Sequence, residues 1–401
     1  MNNLKVVIMG LGYIGLPTAA LIASKDIKVH GVDINQKVVD VINKGSIHII
    51  EPDLEGLVKY SVTKELLSAN LKPIKADIFI IAVPTPFKGN HEPDISFVES
   101  SINMIIPYLE NDNLIIIEST CPIGTTGKMR DLIFNKRPEL KDKIYISYCP
   151  ERVLPGKIIY ELENNDRVIG GINKDSTEKA SVFYSIFVKG KLHNTDAKTA
   201  EMCKLVENSF RDINIAFANE LSIICDEAEI DVWELIKLAN KHPRVNILKP
   251  GSGVGGHCIA VDPWFIVNDF NESAKLIKTA REVNNYKTEW IIKKIKDVAK
   301  NFEKNNNKKT RIACMGLSFK ADIDDLRESP ALLITKTLIN EGYDILPVEP
   351  NIKEYKNIKL YNYKDIVKEA DIFVYLVSHK QFKNNIIKDK IILDFCGLNN
   401  N

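Results

Sequence analysis

The chain has 401 residues, of which 45% are hydrophobic, and this is enough apolar material for two or three folded domains. Its 54 Lys and Arg residues balance 53 Asp and Glu residues, which leaves a net charge of +1. This balance excludes a global electrostatic attraction to nucleic acid or to an acidic membrane. We therefore expect a globular protein whose partners are small molecules or other protein chains.

Targeting and metal-binding patterns are not evident in the sequence. No apolar run approaches the roughly 20 residues of a membrane-spanning helix, and the N-terminus has no signal-peptide pattern, so a cytoplasmic location is expected. The seven cysteines form no CxxC pair. We therefore expect no disulfide framework, no structural zinc and no other metal site.

The N-terminal half alternates short apolar runs with helical patterns, which indicates βαβ units in a parallel sheet. A helix is predicted over 16–24. Strands are predicted over 5–9, 28–32, 76–83 and 113–118. We expect an α/β fold with a Rossmann domain over residues 1–196.

A glycine-rich turn, GLGYIG, links the first predicted strand to the first predicted helix, and an acidic residue ends the second strand. Glycines permit close approach to a pyrophosphate, and the helix N-terminus supplies N–H groups for its charge. The carboxylate would accept hydrogen bonds from the ribose hydroxyls and would repel the 2′-phosphate of NADP, so NAD is favoured as the cofactor. The alternative is a tight turn that binds no ligand. The candidate cofactor residues are Gly10, Gly12, Tyr13, Ile14, Gly15 and Asp33.

Two further threonines follow strands that would end at the same edge of this sheet. Thr85 follows the strand predicted over 76–83, and Thr120 follows the strand predicted over 113–118. Ligands of open α/β sheets bind beyond the carboxyl ends of the strands, so both threonines are candidate cofactor contacts. Ordinary loop polarity is the alternative explanation.

The strand pattern stops near residue 197, and helices are predicted over 199–227 and 273–302. The segment 303–309 then contains no apolar residue, and after it the βαβ alternation resumes. We therefore expect a central helical domain over 197–302 and a second Rossmann-like domain over 309–401.

Cys258 follows a glycine-rich segment, PGSGVGGHC, that would be costly in chain entropy if it merely connected two helices. Backbone amides in such a loop can approach an oxyanion, which favours a nucleophilic role for the thiol. Asp262 lies four residues further on and could orient a water molecule or a base. The alternative is a small buried thiol that serves only in packing.

Lys204, Asn208 and Arg211 have the spacing i, i+4 and i+7, so they share one face of the first central helix. A solvated polar stripe is the ordinary explanation for such a face. Against it, flanking apolar residues such as Phe210 and Phe217 predict that little of the helix faces water. We therefore expect this polar face to line a site.

With these residues assembled, the sequence resembles the nucleotide-sugar 6-dehydrogenases along its whole length. His257 and Arg152 replace the Ser and Phe that are typical of relatives acting on UDP-glucose, which points to the subgroup acting on N-acetylated sugars. The segments that carry the resemblance are GLGYIGLP (10–17), ESTCPIGTT (118–126), CPERVLPG (149–156), AEMCKLVENSFRDINIAFAN (200–219), HPRVNIL (242–248), GVGGHCIAVDP (253–263) and FKADIDDLRESP (319–330).

The resemblance implies roles for individual residues. It implies Cys258 as nucleophile, Lys204 and Asn208 as stabilisers of an oxyanion, Asp262 as an aid to proton transfer, and Arg327 as a cofactor contact. The implied substrate contacts are Arg152, Val153, Lys204, Asn208, Arg211, His242, Arg244, Gly255, Phe319 and Lys320.

The resemblance also implies a homodimer, in which His242 and Arg244 reach the neighbouring active site, and a C-terminal domain that binds UDP. One departure concerns a phosphate contact. Many relatives have a basic residue two positions after Asp394, where this chain has Cys396, so the chain lacks the cation that such a substrate-phosphate contact would use.

The activity implied is oxidation of UDP-N-acetyl-D-mannosamine to the uronate through a thioester on Cys258, with two NAD per turnover, in the biosynthesis of a surface polysaccharide. UDP-N-acetylglucosamine is an alternative substrate. A two-electron Rossmann dehydrogenase, which needs no nucleophilic cysteine, is an alternative enzyme. A regulatory module that senses NAD or a UDP-sugar is the non-enzymatic alternative.

Overall fold

A computed structural model of the protein describes residues 4–154, 156–356, 358–383, 387 and 389–398. The chain forms two compact units, Met1–Glu207 and Asn208–Asn401, and the division falls within a long helix. Across the part of the chain that is described, no helix is both long and apolar enough to cross a membrane.

The first unit is built on one large sheet. Its strands are β1 (Lys5–Met9), β2 (Lys28–Val32), β3 (Leu67–Asn70), β4 (Ile78–Ile81), β5 (Leu114–Ile117), β6 (Tyr145–Tyr148), β7 (Arg167–Gly171) and β8 (Leu192–Asp196). Among the described residues their order is β3-β2-β1-β4-β5-β6-β7-β8, parallel from β3 to β6. β7 runs antiparallel to β6, and β8 is parallel to β7. The order of the first six strands is that of a dinucleotide-binding Rossmann fold.

Helices cover both faces of this sheet. They are α1 (Gly15–Ala23), α2 (Gln36–Asn43), α3 (Leu54–Thr63), α4 (Ser96–Ile105), α5 (Thr125–Lys136), α6 (Ile158–Asn164) and α7 (Lys174–Tyr184). Alternate residues of β1 enter different cores: Val6 and Ile8 pack on one side, and Val7 and Met9 on the other. A strand with helices on both faces is buried on both, which explains its continuous apolar run.

Four helices follow: α8 (Ala197–Glu227), α9 (Val232–Ala239), α10 (Asp262–Asp269) and α11 (Lys275–Asn306). The second central helix was predicted to end at residue 302. This prediction was wrong, because α11 continues through four further polar residues to Asn306. Glu and Lys are good helix formers even where they make no apolar contact. Asn307 ends the helix in the left-handed conformation, with φ of 47°.

A smaller sheet lies in the second unit. Its strands are β9 (Arg311–Met315), β10 (Asp344–Val348), β11 (Ile372–Tyr375) and β12 (Ile391–Asp394), and its helices are α12 (Pro330–Asn340) and α13 (Tyr363–Ile366). As far as the chain is described, the four strands are all parallel in the order β10-β9-β11-β12. One face packs against α11, through Ile291 and Ile295. This second βαβ arrangement confirms the predicted Rossmann-like C-terminal domain.

Buried polar side chains join α8 to α11 within the second unit. Arg281 Nη1 lies 2.6 Å from Asp212 Oδ1, and Asn284 Nδ2 donates to the same oxygen at 2.8 Å. Asn219 donates to Asn284 Oδ1 at 2.8 Å and accepts the N–H of Gly251 at 2.8 Å. These hydrogen bonds attach the start of the glycine-rich loop to the two helices.

Candidate active site

The glycines after β1 are required by close backbone approaches. Gly10 has φ of +91°, and a Cβ there would lie 2.5 Å from the carbonyl oxygen of Ala82. A Cβ on Gly15 would lie 1.8 Å from the carbonyl oxygen of Gly10. At Gly12 a Cβ would meet nothing within 4 Å, so open space lies beside the turn. This is the arrangement in which a pyrophosphate can approach backbone N–H groups.

Asp33 follows β2 and turns its carboxylate toward this glycine turn. Its Oδ2 accepts the N–H of Leu11 at 3.1 Å, and its Oδ1 accepts the N–H of Asn35 at 2.9 Å. A carboxylate has about four acceptor positions, so these two bonds orient it and leave capacity for ribose hydroxyls. Tyr13 is half-exposed in the turn, and Ile14 is the N-cap residue of α1. The residues of this edge fit an NAD molecule.

The loops after β4 and β5 are joined by Ser119, which the sequence analysis missed. Its hydroxyl accepts the N–H of Val83 at 2.9 Å and donates to the carbonyl of Val83 at 2.7 Å. Thr85 and Thr120 are both partly exposed and lie in these two linked loops. The structure therefore places both threonines at the edge of the sheet that carries the glycine turn.

A buried charge cluster lies at this edge and is formed by Glu118, Glu151, Arg167 and Tyr184. The sequence suggested a role for Glu151 in positioning the hydrolytic water, but not its burial with the other three residues. Arg167 Nη2 lies 2.8 Å from Glu151 Oε2, and the hydroxyl of Tyr184 donates to Glu118 Oε1 at 2.6 Å. Burial raises the pKa of Glu118 to about 7, although Arg167 acts in the opposite direction. The sequence signal was two acids and an arginine on apolar strands or at their ends.

Lys204 is held by the backbone that follows β6. Its Nζ donates to the carbonyl oxygen of Glu151 at 2.8 Å, and its side chain is half-buried. Arg152 forms an ion pair with Glu207 of α8, with 2.9 Å between Nη2 and Oε1. Val153 packs at the margin of the core. Lys204 and Arg152 therefore present two cations beside one segment of the first unit.

The polar face predicted on α8 is not uniformly buried. Asn208 is buried, whereas Arg211 is exposed. The prediction that flanking apolar residues leave little of α8 facing water was wrong, because Phe210 is 69% exposed and Phe217 is 54% exposed. Both phenylalanines are therefore largely accessible to solvent.

The glycine-rich loop of the second unit packs directly against the segment after β9. A Cβ on Gly255 would lie 2.7 Å from Phe319 Cβ, and a Cβ on Gly256 would lie 2.9 Å from the Phe319 ring. The N–H of Gly256 donates to the carbonyl of Arg327 at 3.0 Å. The side chain of Arg327 pairs with Asp325, with Nη2 and Oδ2 2.6 Å apart. Larger residues in the loop would force these two segments apart.

Cys258 lies on a turn immediately before α10. Its carbonyl accepts the N–H groups of Val261 at 3.0 Å and of Asp262 at 2.8 Å, and its side chain is partly exposed. Asp262 is buried, and its Oδ2 accepts a hydrogen bond from Asn208 Nδ2 at 2.5 Å. The structure thus brings together Asn208, Asp262 and the backbone of Cys258 within the second unit.

Several other thiols are held in the protonated form. Burial raises the pKa of Cys149 to about 11 and that of Cys314 to about 12. Burial also raises the pKa values of Cys203 and Cys225 above the ordinary thiol value. A thiol that stays protonated at neutral pH is a poor nucleophile, so these four are unsuited to covalent chemistry.

The remaining predicted residues lie in separate parts of the second unit. Lys320 follows Phe319 and is exposed, and its carbonyl accepts the hydroxyl of Ser318 at 2.7 Å. His242 and Arg244 are exposed between α9 and α10. The Cys396 thiol donates to Asp394 Oδ1 at 3.5 Å. Burial, with the neighbouring Asp394 carboxylate, raises the pKa of Cys396 well above its ordinary value.

Comparison with known proteins identifies three consecutive domains. Residues 4–188 match the NAD binding domain of the UDP-glucose/GDP-mannose dehydrogenase family, residues 198–286 match its central domain, and residues 313–400 match its UDP binding domain. The chain belongs to the UDP-glucose/GDP-mannose dehydrogenase family. Membership in this dehydrogenase family confirms the predictions of a Rossmann fold, of NAD as cofactor and of a UDP-binding C-terminal domain.

Within this dehydrogenase family the chain is similar to proteins that are named for N-acetylated sugars. It is 54% identical to the UDP-N-acetyl-D-mannosamine dehydrogenase of Campylobacter jejuni, over 98% of this chain and 99% of that protein. It is 50% identical to the NDP-N-acetyl-D-galactosaminuronic acid dehydrogenase of Ralstonia nicotianae, over 98% of this chain and 95% of that protein. The structure of a UDP-D-ManNAc dehydrogenase from Pyrococcus horikoshii matches with a TM-score of 0.89 and 36% identity, over 98% of this chain and 96% of that one.

Proposed function

We propose that the protein oxidises UDP-N-acetyl-D-mannosamine to UDP-N-acetyl-D-mannosaminuronate and that Cys258 is its nucleophile. The observation that carries this proposal is the connection of Cys258 to two polar side chains. The carbonyl of Cys258 accepts the N–H of Asp262, and the carboxylate of Asp262 accepts a hydrogen bond from Asn208. The similarity to mannosamine dehydrogenases, at 54% identity for the Campylobacter jejuni protein, supports the choice of sugar.

The chemistry needs a nucleophile because an alcohol becomes a carboxylate by losing four electrons in two hydride transfers. NAD, when bound, accepts one hydride in each step, so each sugar consumes two NAD. The aldehyde formed first has no good hydride to give. Addition of the Cys258 thiolate converts it into a thiohemiacetal, which loses the second hydride and becomes a thioester that water cleaves.

Three proposed site residues carry groups that suit the charges that develop in these steps. Asn208 carries two amide hydrogens, so it can donate to Asp262 and to an oxyanion together. The ammonium of Lys204, oriented by the Glu151 carbonyl, supplies the positive charge that stabilises an alkoxide. Asp262 accepts the proton that water releases during thioester hydrolysis.

We propose the remaining contacts of the site from the sequence motifs and from the resemblance to nucleotide-sugar 6-dehydrogenases. Gly10, Gly12, Tyr13, Ile14, Gly15, Asp33, Thr85, Thr120 and Arg327 contact the cofactor. Arg152, Val153, Arg211, Gly255, Phe319 and Lys320 contact the UDP-sugar. We assign residues 1–196, 197–302 and 309–401 to the cofactor, central and UDP-binding domains. We also place the protein in the cytoplasm.

We also propose that the protein acts as a homodimer. Phe210, Phe217 and Ile224 are 69%, 54% and 54% exposed and follow each other at intervals of seven along α8. An apolar strip of this spacing on one helix face is self-complementary about a two-fold axis, so a second copy of the chain fits it. The exposed His242 and Arg244 then reach the neighbouring active site.

The experiment that tests the function is NADH release with a panel of UDP-N-acetylhexosamines. We expect preference for the manno epimer and two NADH per sugar. The galacto epimer is a specific second candidate because of the Ralstonia nicotianae relative. Preference for it would contradict the proposed sugar substrate but not the proposed reaction. One NADH per sugar would contradict the covalent mechanism and favour a two-electron dehydrogenase.

A further inference from the structure

The turns after β1 and after β9 have the same backbone geometry, although they belong to different domains. The N–H of Gly10 donates to the carbonyl of Val32 at 2.8 Å, and the N–H of Gly316 donates to the carbonyl of Val348 at 2.8 Å. Both glycines are left-handed, with φ of +91° and +89°. The C-terminal domain therefore contains a second copy of the dinucleotide-binding turn.

The carboxylate that follows the second strand is duplicated as well. Glu349 follows β10 as Asp33 follows β2. Glu349 Oε2 accepts the N–H of Leu317 at 2.7 Å, and Glu349 Oε1 accepts the N–H of Asn351 at 3.0 Å. Asp33 accepts the equivalent N–H groups, one from the glycine turn and one from the residue two positions after itself.

The two carboxylates differ in what lies around them. Asp33 is partly exposed, whereas the side chain of Glu349 is fully buried and receives three further hydrogen bonds, one of them from Asn351 Nδ2 to Oε1 at 3.3 Å. Glu349 Oε2 lies 3.0 Å from the N–H of Ser318 and 3.1 Å from His379 Nε2. Burial raises the pKa of Glu349, but the hydrogen bonds from His379 and from backbone N–H groups outweigh burial and leave it below the ordinary value. Glu349 is thus a carboxylate occupied by protein donors.

The tautomer of His379 follows from its other neighbours. His379 Nδ1 lies 3.0 Å from the backbone nitrogen of Asp322, and a backbone N–H can only donate. Nδ1 therefore carries the lone pair, and the ring hydrogen lies on Nε2, where it points to Glu349. Since His379 is fully buried, both bonds are shielded from water. Glu349 therefore holds Leu317 at one end of the segment Leu317–Asp322, and His379, which is bonded to Glu349, holds Asp322 at the other end.

This segment carries Phe319, whose ring contacts the glycines of the loop that precedes Cys258. We propose that His379 and Glu349 are positioning residues, which fix the segment 317–322 so that Phe319 and Lys320 meet the UDP-sugar beside the Cys258 loop. The proposal rests on the proposed function. Glu349 is the counterpart in the C-terminal domain of Asp33, the proposed ribose-binding carboxylate. Because Glu349 accepts hydrogen bonds from the substrate-binding segment and from His379, it is unsuited to bind the ribose of a second dinucleotide.

The test compares His379→Leu with His379→Gln in the full-length chain. Leu removes every side-chain hydrogen bond of His379, including those to Asp322 and Glu349, and we expect UDP affinity, measured by titration calorimetry, to fall at least about tenfold. The KM for the UDP-sugar should rise by a similar factor, while kcat and the KM for NAD stay within about threefold. Gln keeps a donor for Glu349 and should recover most of the UDP affinity. UDP affinity and KM within twofold of the wild type in His379→Leu would overturn the proposal.

Thr335→Val is the matched control for domain stability. Thr335 is buried in the same domain, and its hydroxyl bonds to the carbonyl of Ala331 within α12 at 2.9 Å. It should lower the melting temperature without changing UDP affinity. An equal loss of UDP affinity in Thr335→Val and His379→Leu would overturn the proposal, because general destabilisation would then explain the effect.

A second measurement separates this proposal from the proposed function. If the wild type releases no NADH with any UDP-sugar, the proposed function fails. Amide hydrogen exchange still reports on the segment, since the N–H groups of Ser318 and Asp322 donate to Glu349 and His379. These two amides should exchange at least about tenfold faster in His379→Leu, but not in Thr335→Val. Unchanged exchange in His379→Leu would contradict the positioning role whatever the activity.

Discussion

Asn208 Nδ2 lies 2.5 Å from Asp262 Oδ2, so an amide on α8 and the first residue of α10 form one buried hydrogen-bonded pair. Replacing Asn208 by Ala removes an oxyanion donor and leaves Asp262 without this partner. We expect kcat to fall about 100- to 1,000-fold. Asn214 lies on the same helix and donates to the carbonyl of Phe210, so Asn214→Ala is the control and should retain activity. Similar kcat values for the two variants would contradict the role of Asn208.

Cys258→Ala should abolish formation of the uronate while NAD affinity stays within about twofold, because the thiol is required for the covalent step and not for cofactor binding. Cys203→Ala is the matched control. Cys203 is also partly exposed, but burial and the charge of Glu207 raise its pKa, so it should be dispensable. Uronate analysis by mass spectrometry and NAD titration by fluorescence measure both effects. Normal uronate production by Cys258→Ala would remove Cys258 from the mechanism.

Glu118 should make the stability of the protein depend on pH. Its pKa of about 7 in the folded state exceeds the ordinary value of 4.5, so between these pH values the folded chain binds more protons than the unfolded chain. The free energy of unfolding should therefore fall as pH rises from about 5 to 7. In Glu118→Gln this decline should shrink by on the order of 1 to 3 kcal/mol. Denaturant unfolding at pH 5 and pH 8 measures it, and parallel pH profiles would contradict the assignment.

Two ion pairs between α8 and α11 differ mainly in burial and form a matched test. Arg281 and Asp212 are buried, whereas Lys294 and Asp226 are each 36% exposed. Arg281→Met leaves a buried carboxylate without its cation and should cost about 3 to 5 kcal/mol of unfolding free energy. Lys294→Met should cost less than about 1 kcal/mol. Equal losses in urea unfolding would show that burial does not set the strength of these pairs.

The apolar strip on α8 predicts the oligomeric state. Phe217→Asp places a charge in the centre of the strip, and we expect the dimer dissociation constant to rise by at least about 100-fold. Leu333→Asp is the control, because Leu333 is likewise an exposed apolar residue, at 56%, but belongs to α12 and not to the strip on α8. Sedimentation velocity should show monomer for the first variant and dimer for the second. A monomeric wild type would refute the dimer.

The elements that follow local rules could be predicted from the sequence. The predicted strands 5–9 and 28–32 coincide with β1 and β2, because each is an apolar run between turn residues. The glycine turn and Asp33 were recognisable for the same reason, since their spacing along the chain is short and fixed. Cys258 could be singled out because the glycines before it are costly in chain entropy, although the sequence did not show that they also pack against Phe319.

The features that depend on distant partners could not be predicted. Glu118 and Arg167 are 49 positions apart in the sequence, and nothing in the sequence indicates that the two side chains are buried together. Glu349 directly follows β10 and His379 lies four residues after β11, so the hydrogen bond between them, and the tautomer that makes it, depend on how the chain folds. Exposure of Phe210 and Phe217 was misjudged because an apolar helix position can face a partner chain as well as a core.

The glycine-rich loop has a consequence for how the protein can vary. At Gly253, Gly255 and Gly256, an added Cβ would lie less than 3 Å from Thr288, Glu328 or Phe319. A larger residue at any of these positions needs a compensating change in the surface opposite, and that surface also carries proposed substrate contacts. The loop that carries Cys258 and the segment proposed to contact the UDP-sugar therefore share one tightly packed boundary, and a substitution on either side of it requires a matching change on the other.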